Sequence, residues 1–216
     1  MRTMDRETDI PLENWALPGE PFRLVAVEIN AADWTHWLTP EAQARAARFS
    51  DPRAWARAGA SEWFKGWWLP RELGLERVEW KTGMHGKPRL GGAGAGWGFN
   101  LSHAGDHVVA ALMRGAAVGV DLESMSRPAN VELLAQRVFS ESEQALVRAG
   151  GREAFFELWS QKEALLKALG CGWANGGIVR RTRLERVGFQ EEPATRVQVW
   201  SRHLRGGAYA LAVAML

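Results

Sequence analysis

The sequence holds one cysteine, Cys171, among 216 residues, so an internal disulfide bond is excluded. A reducing compartment is the natural setting for such a chain. No apolar run approaches the roughly 20 residues that a helix needs to cross a bilayer. Residues 1–14 are polar and of mixed charge, without the apolar stretch of a secretion signal. These absences predict a cytoplasmic protein with no membrane partner.

A large excess of either charge is missing too. The 27 basic and 25 acidic residues leave a formal net charge of +2, which predicts no nucleic acid partner. Lysine is scarce beside arginine, and Lys87, Lys162 and Lys167 are among the few. Because an ammonium group is a compact point charge that suits a phosphate, these three are candidates for binding a phosphorylated ligand, with chance placement as the alternative.

What is present is the composition of a globular protein, 46% hydrophobic and 24% charged. The length suits one large domain or two small ones. Residues 22–29 are predicted as a first strand. Thr39 and Pro40 predict the cap and first position of a helix, and a second helix is predicted from about 53 to 69, ended by Pro70.

Strands and helices continue along the rest of the chain, which predicts an α+β fold. The predicted strands are 78–81, 99–103, 108–113, 116–120, 183–189, 195–201 and 208–215. A helix is predicted at 131–139, and helical sequence then starts at a capping box, Ser140–Glu143, and stops at Gly170.

Two carboxylates stand at the end of the predicted strand 116–120. Asp121 and Glu123 are two residues apart, so in an extended chain both point to the same side. Like charges side by side repel, and Mg²⁺, which prefers oxygen ligands and often bridges to phosphate, would neutralise them. The alternative is a polar strand end that faces solvent.

A second group of ionisable residues lies on the helical sequence 156–170. Trp159, Glu163 and Lys167 follow one another at four-residue steps and therefore share one face. Taken alone, Glu163 and Lys167 could form a surface ion pair contributing about 0.3–0.5 kcal/mol. Together with the upstream carboxylates, they predict a catalytic site.

These segments resemble the motifs of a known family. Gly119–Glu123, followed by Trp159–Lys167, resembles the paired signature of the 4'-phosphopantetheinyl transferases. Two earlier segments, Gly86–Leu90 and Phe99–His103, are similar to those that precede the signature in the longer, Sfp-type branch. The motifs run in the family's order over residues 86–170.

The resemblance implies a fold and a reaction. The fold would be two similar α+β halves in a pseudo-twofold monomer with the active site at the seam. Residues 1–113 would bind coenzyme A, and residues 114–216 would carry the metal and catalytic motifs. The reaction would transfer the 4'-phosphopantetheine arm of coenzyme A to a serine of an apo acyl or peptidyl carrier protein and release 3',5'-ADP.

The resemblance also implies residue roles. Asp121, Glu123 and Glu163 would hold Mg²⁺ or Mn²⁺, and Glu163 and Lys167 would be catalytic, with Glu163 as the best candidate for taking the serine proton. The expected coenzyme A contacts are Arg48, Arg53, Gly86, Lys87, Pro88, Ser102, His103, Asp121, Lys162 and Lys167. Lys162 is turned away from Glu163 by one step along the helix.

Some assignments leave alternatives open. The basic residues considered for the 3'-phosphate of coenzyme A are Arg48, Arg53, Arg57 and Lys65, and each could equally lie on a solvated helix face. The basic residues considered for an acidic carrier protein are Arg127, Arg137, Arg180, Arg181 and Arg183. The competing functions are a Mg²⁺-dependent phosphohydrolase and a non-catalytic module that binds a carrier protein.

Overall fold

The computed structural model describes residues 10–16, 21–51, 53–83, 86–172, 189–191 and 195–216. The strands in this part of the chain are β1 (Glu13–Asn14), β2 (Arg23–Glu28), β3 (Trp80–Thr82), β4 (Pro88–Leu90), β5 (Trp97–Ala104), β6 (His107–Arg114), β7 (Val118–Ser124), β8 (Phe189–Glu191), β9 (Thr195–Leu204) and β10 (Tyr209–Met215). The α-helices are α1 (Pro40–Ala46), α2 (Arg53–Trp63), α3 (Leu69–Leu73), α4 (Val131–Val138) and α5 (Glu141–Leu169). The predicted α+β class is confirmed.

Two antiparallel sheets of four strands form the centre of the molecule, in the orders β1-β2-β6-β5 and β7-β10-β9-β8, while β3 and β4 form a separate pair. The two large sheets pack against each other, because Leu24 and Val109 share a buried cluster with Val120, Leu211 and Val213. The chain leaves the first sheet at Arg114 and enters the second at Val118. The division into two similar halves stays a prediction.

Helices cover the outer faces of both sheets. Trp63 and Phe64 pack on Val27 and Val108 of the first sheet. On the second sheet, α5 lays its small residues, such as Ala164, against the alanines of β10. The layers therefore run helix, sheet, sheet, helix, and none of the described helices is long and apolar enough to cross a membrane.

The prediction that Pro70 ends a helix is wrong. After α2, a π-helical turn at Phe64–Trp68 lets the amide of Leu69 donate to the carbonyl of Phe64, five residues back. Pro70 then occupies an early position of α3, where proline is tolerated. The helical segment ends instead at Gly74, which adopts left-handed backbone angles.

The predicted helix starts are confirmed. Thr39 caps α1 by accepting from the amide of Ala42, and Ser140 and Glu143 form the reciprocal capping box of α5. Inside α5, Gly151 departs from helical angles (φ 61°, ψ −140°), so a kink joins two helical segments. Of the strand predicted at 183–189, only Phe189 falls within the described residues.

Candidate active site

Strand β7 sorts its side chains between two environments. Val118, Val120 and Leu122 point into the cluster between the sheets. The alternate residues Asp121 and Glu123 point the other way, towards α5, as the period of two predicts. The strand runs beyond the predicted end at residue 120, because β10 pairs along its whole length and places Ala212 opposite Asp121.

The other edge of β7 lies beside β5 without a backbone ladder between the two strands. Side chains form the hydrogen bonds to the backbone of β7 at this edge. Asn100 Oδ1 accepts from the amide of Val120 at 2.8 Å, and Ser102 Oγ accepts from the amide of Leu122 at 3.1 Å. Two carbonyls on this edge, those of Val118 and Val120, accept from the ammonium groups of Lys87 and Lys167. The seam between the sheets is therefore joined by motif side chains.

A cleft of about 760 Å³ opens beside this seam. Its walls come from β5, β7, α2, α5 and the turns after β5 and β7. The ionisable and aromatic residues that line it are Asp51, Arg53, Arg57, His103, Asp121, Glu123, Arg127, Trp159, Glu163 and Lys167, with Ser102 between them. The structure thus brings together seven of the residues named from the sequence: Arg53, Ser102, His103, Asp121, Glu123, Glu163 and Lys167.

Asp121 is the most constrained carboxylate of the cleft. It is 5% exposed, and its Oδ1 accepts from Lys167 Nζ at 2.7 Å and from Ser102 Oγ at 3.2 Å. Its Oδ2 is buried and has no hydrogen-bond partner among the described residues. Burial raises the pKa of Asp121 to about 7, with Lys167 opposing and Glu123 and Glu163 adding to the rise. An unused buried oxygen is the kind of ligand that a hard cation such as Mg²⁺ prefers, and Glu123 and Glu163 line the same cleft, although the ligand atoms of the three carboxylates do not all lie within 4.8 Å of one another.

Glu123 is held by Arg127. Both carboxylate oxygens accept from Arg127 Nη1, at 2.8 and 2.9 Å, while the guanidinium lies 5.8 Å from the centres of the Phe156 and Trp159 rings. Burial raises the pKa of Glu123, and Arg127 and Trp159 oppose the rise. From the sequence, Arg127 is predicted only as a candidate carrier contact, because it follows β7 on a turn whose direction no periodicity encodes.

Lys167 lies across the seam. Its ammonium donates to Ser102 Oγ and the carbonyl of Val120, both at 3.0 Å, as well as to Asp121. His103 lies at the mouth of the cleft, where the loss of hydration of its ring, and then the cations of Arg57 and Lys167, lower its pKa. Together these groups place positive charge and hydroxyl donors beside the carboxylates.

The arginines of α2 reach the cleft from its other side. Arg57 donates to Asp51 at 2.6 Å and to the carbonyl of Gly105 at 3.1 Å, and Arg53 donates to Asp51 and Asp106 at 3.2 Å. Arg48 does not line the cleft. Of the four basic residues considered for the 3'-phosphate, Arg53 and Arg57 therefore lie at the cleft.

Lys162 is not at the cleft, and its assignment to coenzyme A is wrong for this arrangement. Its side chain is fully buried, its Nζ lies 3.0 Å from Glu143 Oε1, and it sits 5.6 Å from the centre of the Phe139 ring. Burial lowers its pKa and Glu143 opposes this. Lys162 precedes Glu163 on α5 and points away from the cleft. Its ion pair with Glu143 connects the two segments of α5, because Glu143 belongs to the first segment and Lys162 to the second.

The segment Gly86–Pro88 does not line the cleft either. Gly86 and Pro88 border a different cavity of about 500 Å³, which Trp37 and Trp80 also line. Lys87 turns inward instead, and its ammonium donates to main-chain carbonyls of β7 and α5. Burial and then the nearby Arg89 lower the pKa of Lys87 to about 8, while carbonyl acceptors favour its charged form.

A different cluster of potential metal ligands lies on the first sheet. Among the described residues, Glu13, Glu28 and His107 are the one group whose ligand atoms all lie within 4.8 Å of one another. Arg205 donates to Glu13 at 2.5 Å and lies 3.2 Å from Glu28, so a guanidinium already supplies the positive charge. This cluster therefore gives no reason to place a metal there.

The candidate carrier contacts are only partly visible. Arg180, Arg181 and Arg183 lie outside the described residues. Arg137 is exposed on α4, and Arg127 is half-exposed at the rim of the cleft. A basic surface for the carrier protein stays a prediction.

Comparison with known proteins gives the family. Residues 117–214 match the sequence family described as the 4'-phosphopantetheinyl transferase superfamily. The chain is 33% identical over 168 residues to the 4'-phosphopantetheinyl transferase HetI of Nostoc sp., an alignment that covers 74% of this chain and 69% of HetI.

Shorter alignments cover about half of the chain. The AcpT transferase of Salmonella typhimurium is 38% identical over 112 residues, covering 48% of this chain and 58% of AcpT. The psf-1 transferase of Bacillus pumilus is 41% identical over 108 residues, covering 48% of this chain and 45% of psf-1. The resemblance inferred from the motifs is confirmed, and the chain belongs to the 4'-phosphopantetheinyl transferase superfamily.

Proposed function

We propose that this protein transfers the 4'-phosphopantetheine arm of coenzyme A to a serine of an apo acyl or peptidyl carrier protein, with Mg²⁺, releasing 3',5'-ADP. The observation that carries the proposal is the set of contacts around the two carboxylate oxygens of Asp121. One of its buried oxygens is bound by Lys167, the other has no described partner, and Glu123 and Glu163 line the same cleft. We assign Mg²⁺, with Mn²⁺ as a substitute, to Asp121, Glu123 and Glu163.

The residues of the cleft divide the chemistry between them. The serine oxygen attacks the phosphorus that carries the pantetheine arm, the bond to the oxygen of the departing 3',5'-ADP breaks, and the serine proton passes to Glu163. Bound Mg²⁺ supplies positive charge that neutralises the diphosphate. Lys167 is already fixed beside Asp121 and adds a second positive charge. Its position needs no rearrangement at the moment of reaction.

Coenzyme A would lie along the cleft towards the first sheet. Arg53 and Arg57 offer cationic donors to its phosphates, and Ser102 and His103 line the same part of the cleft. The cavity bordered by Gly86 and Pro88 presents the rings of Trp37 and Trp80, which suit an adenine base. We accordingly assign coenzyme A mainly to residues 1–113 and the metal and catalytic groups to residues 114–216, in a cytoplasmic monomer.

Intact mass spectrometry tests the proposal. Apo carrier proteins incubated with this protein, coenzyme A and Mg²⁺ should each gain the mass of one phosphopantetheine arm, and a chelator should prevent the gain. A phosphohydrolase would split coenzyme A and leave the carrier mass unchanged. A binding module would retain coenzyme A or the carrier without any change of mass, and either result would overturn the proposal.

Arg127 should compete with the metal for Glu123. Removing it in Arg127→Gln frees both oxygens of a buried carboxylate, so we expect Mn²⁺ to bind about 3- to 10-fold more tightly in calorimetric titration. Arg137→Gln is the matched control, because it removes the same charge from an exposed position on α4. Equal Mn²⁺ affinity in wild type and Arg127→Gln would contradict the prediction.

A further inference from the structure

The ammonium of Lys87 is saturated by main-chain acceptors. It donates to the carbonyls of Val118 at 3.1 Å and Ala168 at 3.3 Å, and to that of Lys167 at short range. An ammonium group has three donors, and here three carbonyls receive them. No donor is left for a phosphate in this arrangement.

The acceptors belong to two elements that carry the candidate active site. Lys167 and Ala168 lie in the last turn of α5, where the carbonyl of Lys167 also accepts from the amide of the capping residue Gly170 at 3.2 Å. Val118 opens β7, three residues before Asp121. A cation at the C-terminal end of a helix also interacts favourably with the helix dipole. Lys87, which comes from the segment before β4, therefore joins the end of α5 to the start of β7.

Lys167 is consequently held at both ends. Its carbonyl accepts from Lys87, and its ammonium donates to Asp121, Ser102 and the carbonyl of Val120. The contact between α5 and β7 is also close, since a side chain on Gly119 would overlap the backbone of Ala164 and Ala168. A shift of the last turn of α5 would move the Lys167 backbone and draw its ammonium away from Asp121.

We propose that Lys87 is a positioning residue, which fixes the last turn of α5 on β7 and so places Lys167 in the cleft, and that it does not bind the phosphates of coenzyme A. The role of Lys167 in transfer rests on the proposed function. The junction that Lys87 forms between the end of α5 and the start of β7 does not rest on the proposed function, because it consists of contacts within the chain.

Two variants separate positioning from phosphate binding. Lys87→Met keeps the length of the side chain and removes the charge. Lys87→Arg keeps the charge, but a planar guanidinium cannot direct three donors to the same three carbonyls. A phosphate ligand would tolerate arginine, whereas the junction would not. Arg89→Met is the matched control, since it removes one positive charge from an exposed side chain two residues away.

We expect both Lys87 variants to lower kcat about 10- to 100-fold, while the Kd for coenzyme A, measured by calorimetry, changes less than about threefold. Arg89→Met should match the wild type in both. If Lys87 acts through Lys167, adding Lys87→Met to Lys167→Met should lower kcat no further. Wild-type kcat and Kd in Lys87→Arg, with coenzyme A bound tenfold more weakly by Lys87→Met, would overturn the proposal in favour of a phosphate ligand.

Hydrogen exchange provides a readout that does not depend on transfer. Amides 168–171 should exchange faster in Lys87→Met than in wild type, while amides of β2 and β6 should keep their protection. Unchanged exchange at 168–171 would overturn the junction. If the wild type modifies no carrier protein, the proposed function fails, and the exchange experiment still decides whether Lys87 fixes the end of α5.

Discussion

Asp121→Asn should abolish phosphopantetheine transfer and at the same time stabilise the metal-free protein. Loss of one charged metal ligand should lower kcat by at least about 10²- to 10³-fold, measured by carrier mass gain. The stability gain follows from burial. The pKa of Asp121 is raised from 3.8 to about 7, which corresponds to about 4 kcal/mol of cost to the folded state once the carboxylate is ionised.

The sign of the pH dependence follows from the direction of this shift. A carboxyl whose pKa is higher in the folded than in the unfolded state binds more protons when folded, so its contribution to stability is complete below pH 4 and is lost as pH rises to about 7. At pH 8 with EDTA, we expect Asp121→Asn to be more stable than wild type by about 1–3 kcal/mol, because Lys167 loses its charged partner and offsets part of the gain.

Urea unfolding at pH 8 and pH 5 measures the effect. The difference between Asp121→Asn and wild type should shrink towards pH 5, and Glu153→Gln, which removes an exposed carboxylate from α5, should show no such change. A lower stability of Asp121→Asn at pH 8 would mean that the ion pair with Lys167 outweighs burial. Near-native transfer with Mg²⁺ would remove the metal assignment.

Gly119→Ala should destabilise the protein by about 3 kcal/mol or more and abolish transfer. A Cβ at this position would overlap the carbonyl oxygen of Ala164 and the amide nitrogen of Ala168. Both are backbone atoms, which cannot rotate away as a side chain can, so α5 would have to lift from β7. This displacement would separate Glu163 and Lys167 from Asp121.

The control for Gly119→Ala is Gly96→Ala. A Cβ at Gly96 would meet no atom within 4 Å, so we expect a change within about 0.5 kcal/mol in urea unfolding. Strand propensity alone favours alanine over glycine and would predict a neutral or stabilising effect at Gly119. Wild-type stability in Gly119→Ala would therefore show that α5 is not seated on β7 as described.

Local patterns in the sequence located much of the cleft. Asp121 and Glu123 share a side of β7 because strands have a period of two. Glu163 and Lys167 share a face of α5 because they are about one helical turn apart. These spacings are local properties. The roles of the residues in catalysis remain predictions.

Contacts between distant segments could not be predicted from local spacing. Lys87 and Lys162 lie in family-like motifs, and their scarcity suggested phosphate binding, but one reaches carbonyls about 80 residues away and the other a buried glutamate. The chemistry of an ammonium suits a carbonyl or a carboxylate as well as a phosphate. Which acceptor it meets depends on tertiary packing.

The side-chain seam between β5 and β7 has a consequence for solubility. A strand edge with unpaired amides and carbonyls is a template on which another chain can add a strand and begin to aggregate. Asn100 and Ser102 occupy amides of β7, and Lys87 and Lys167 occupy its carbonyls. The residues that build the candidate site thus also close the edge of a strand to intermolecular pairing, so substitutions among them carry a risk of self-association besides any loss of activity.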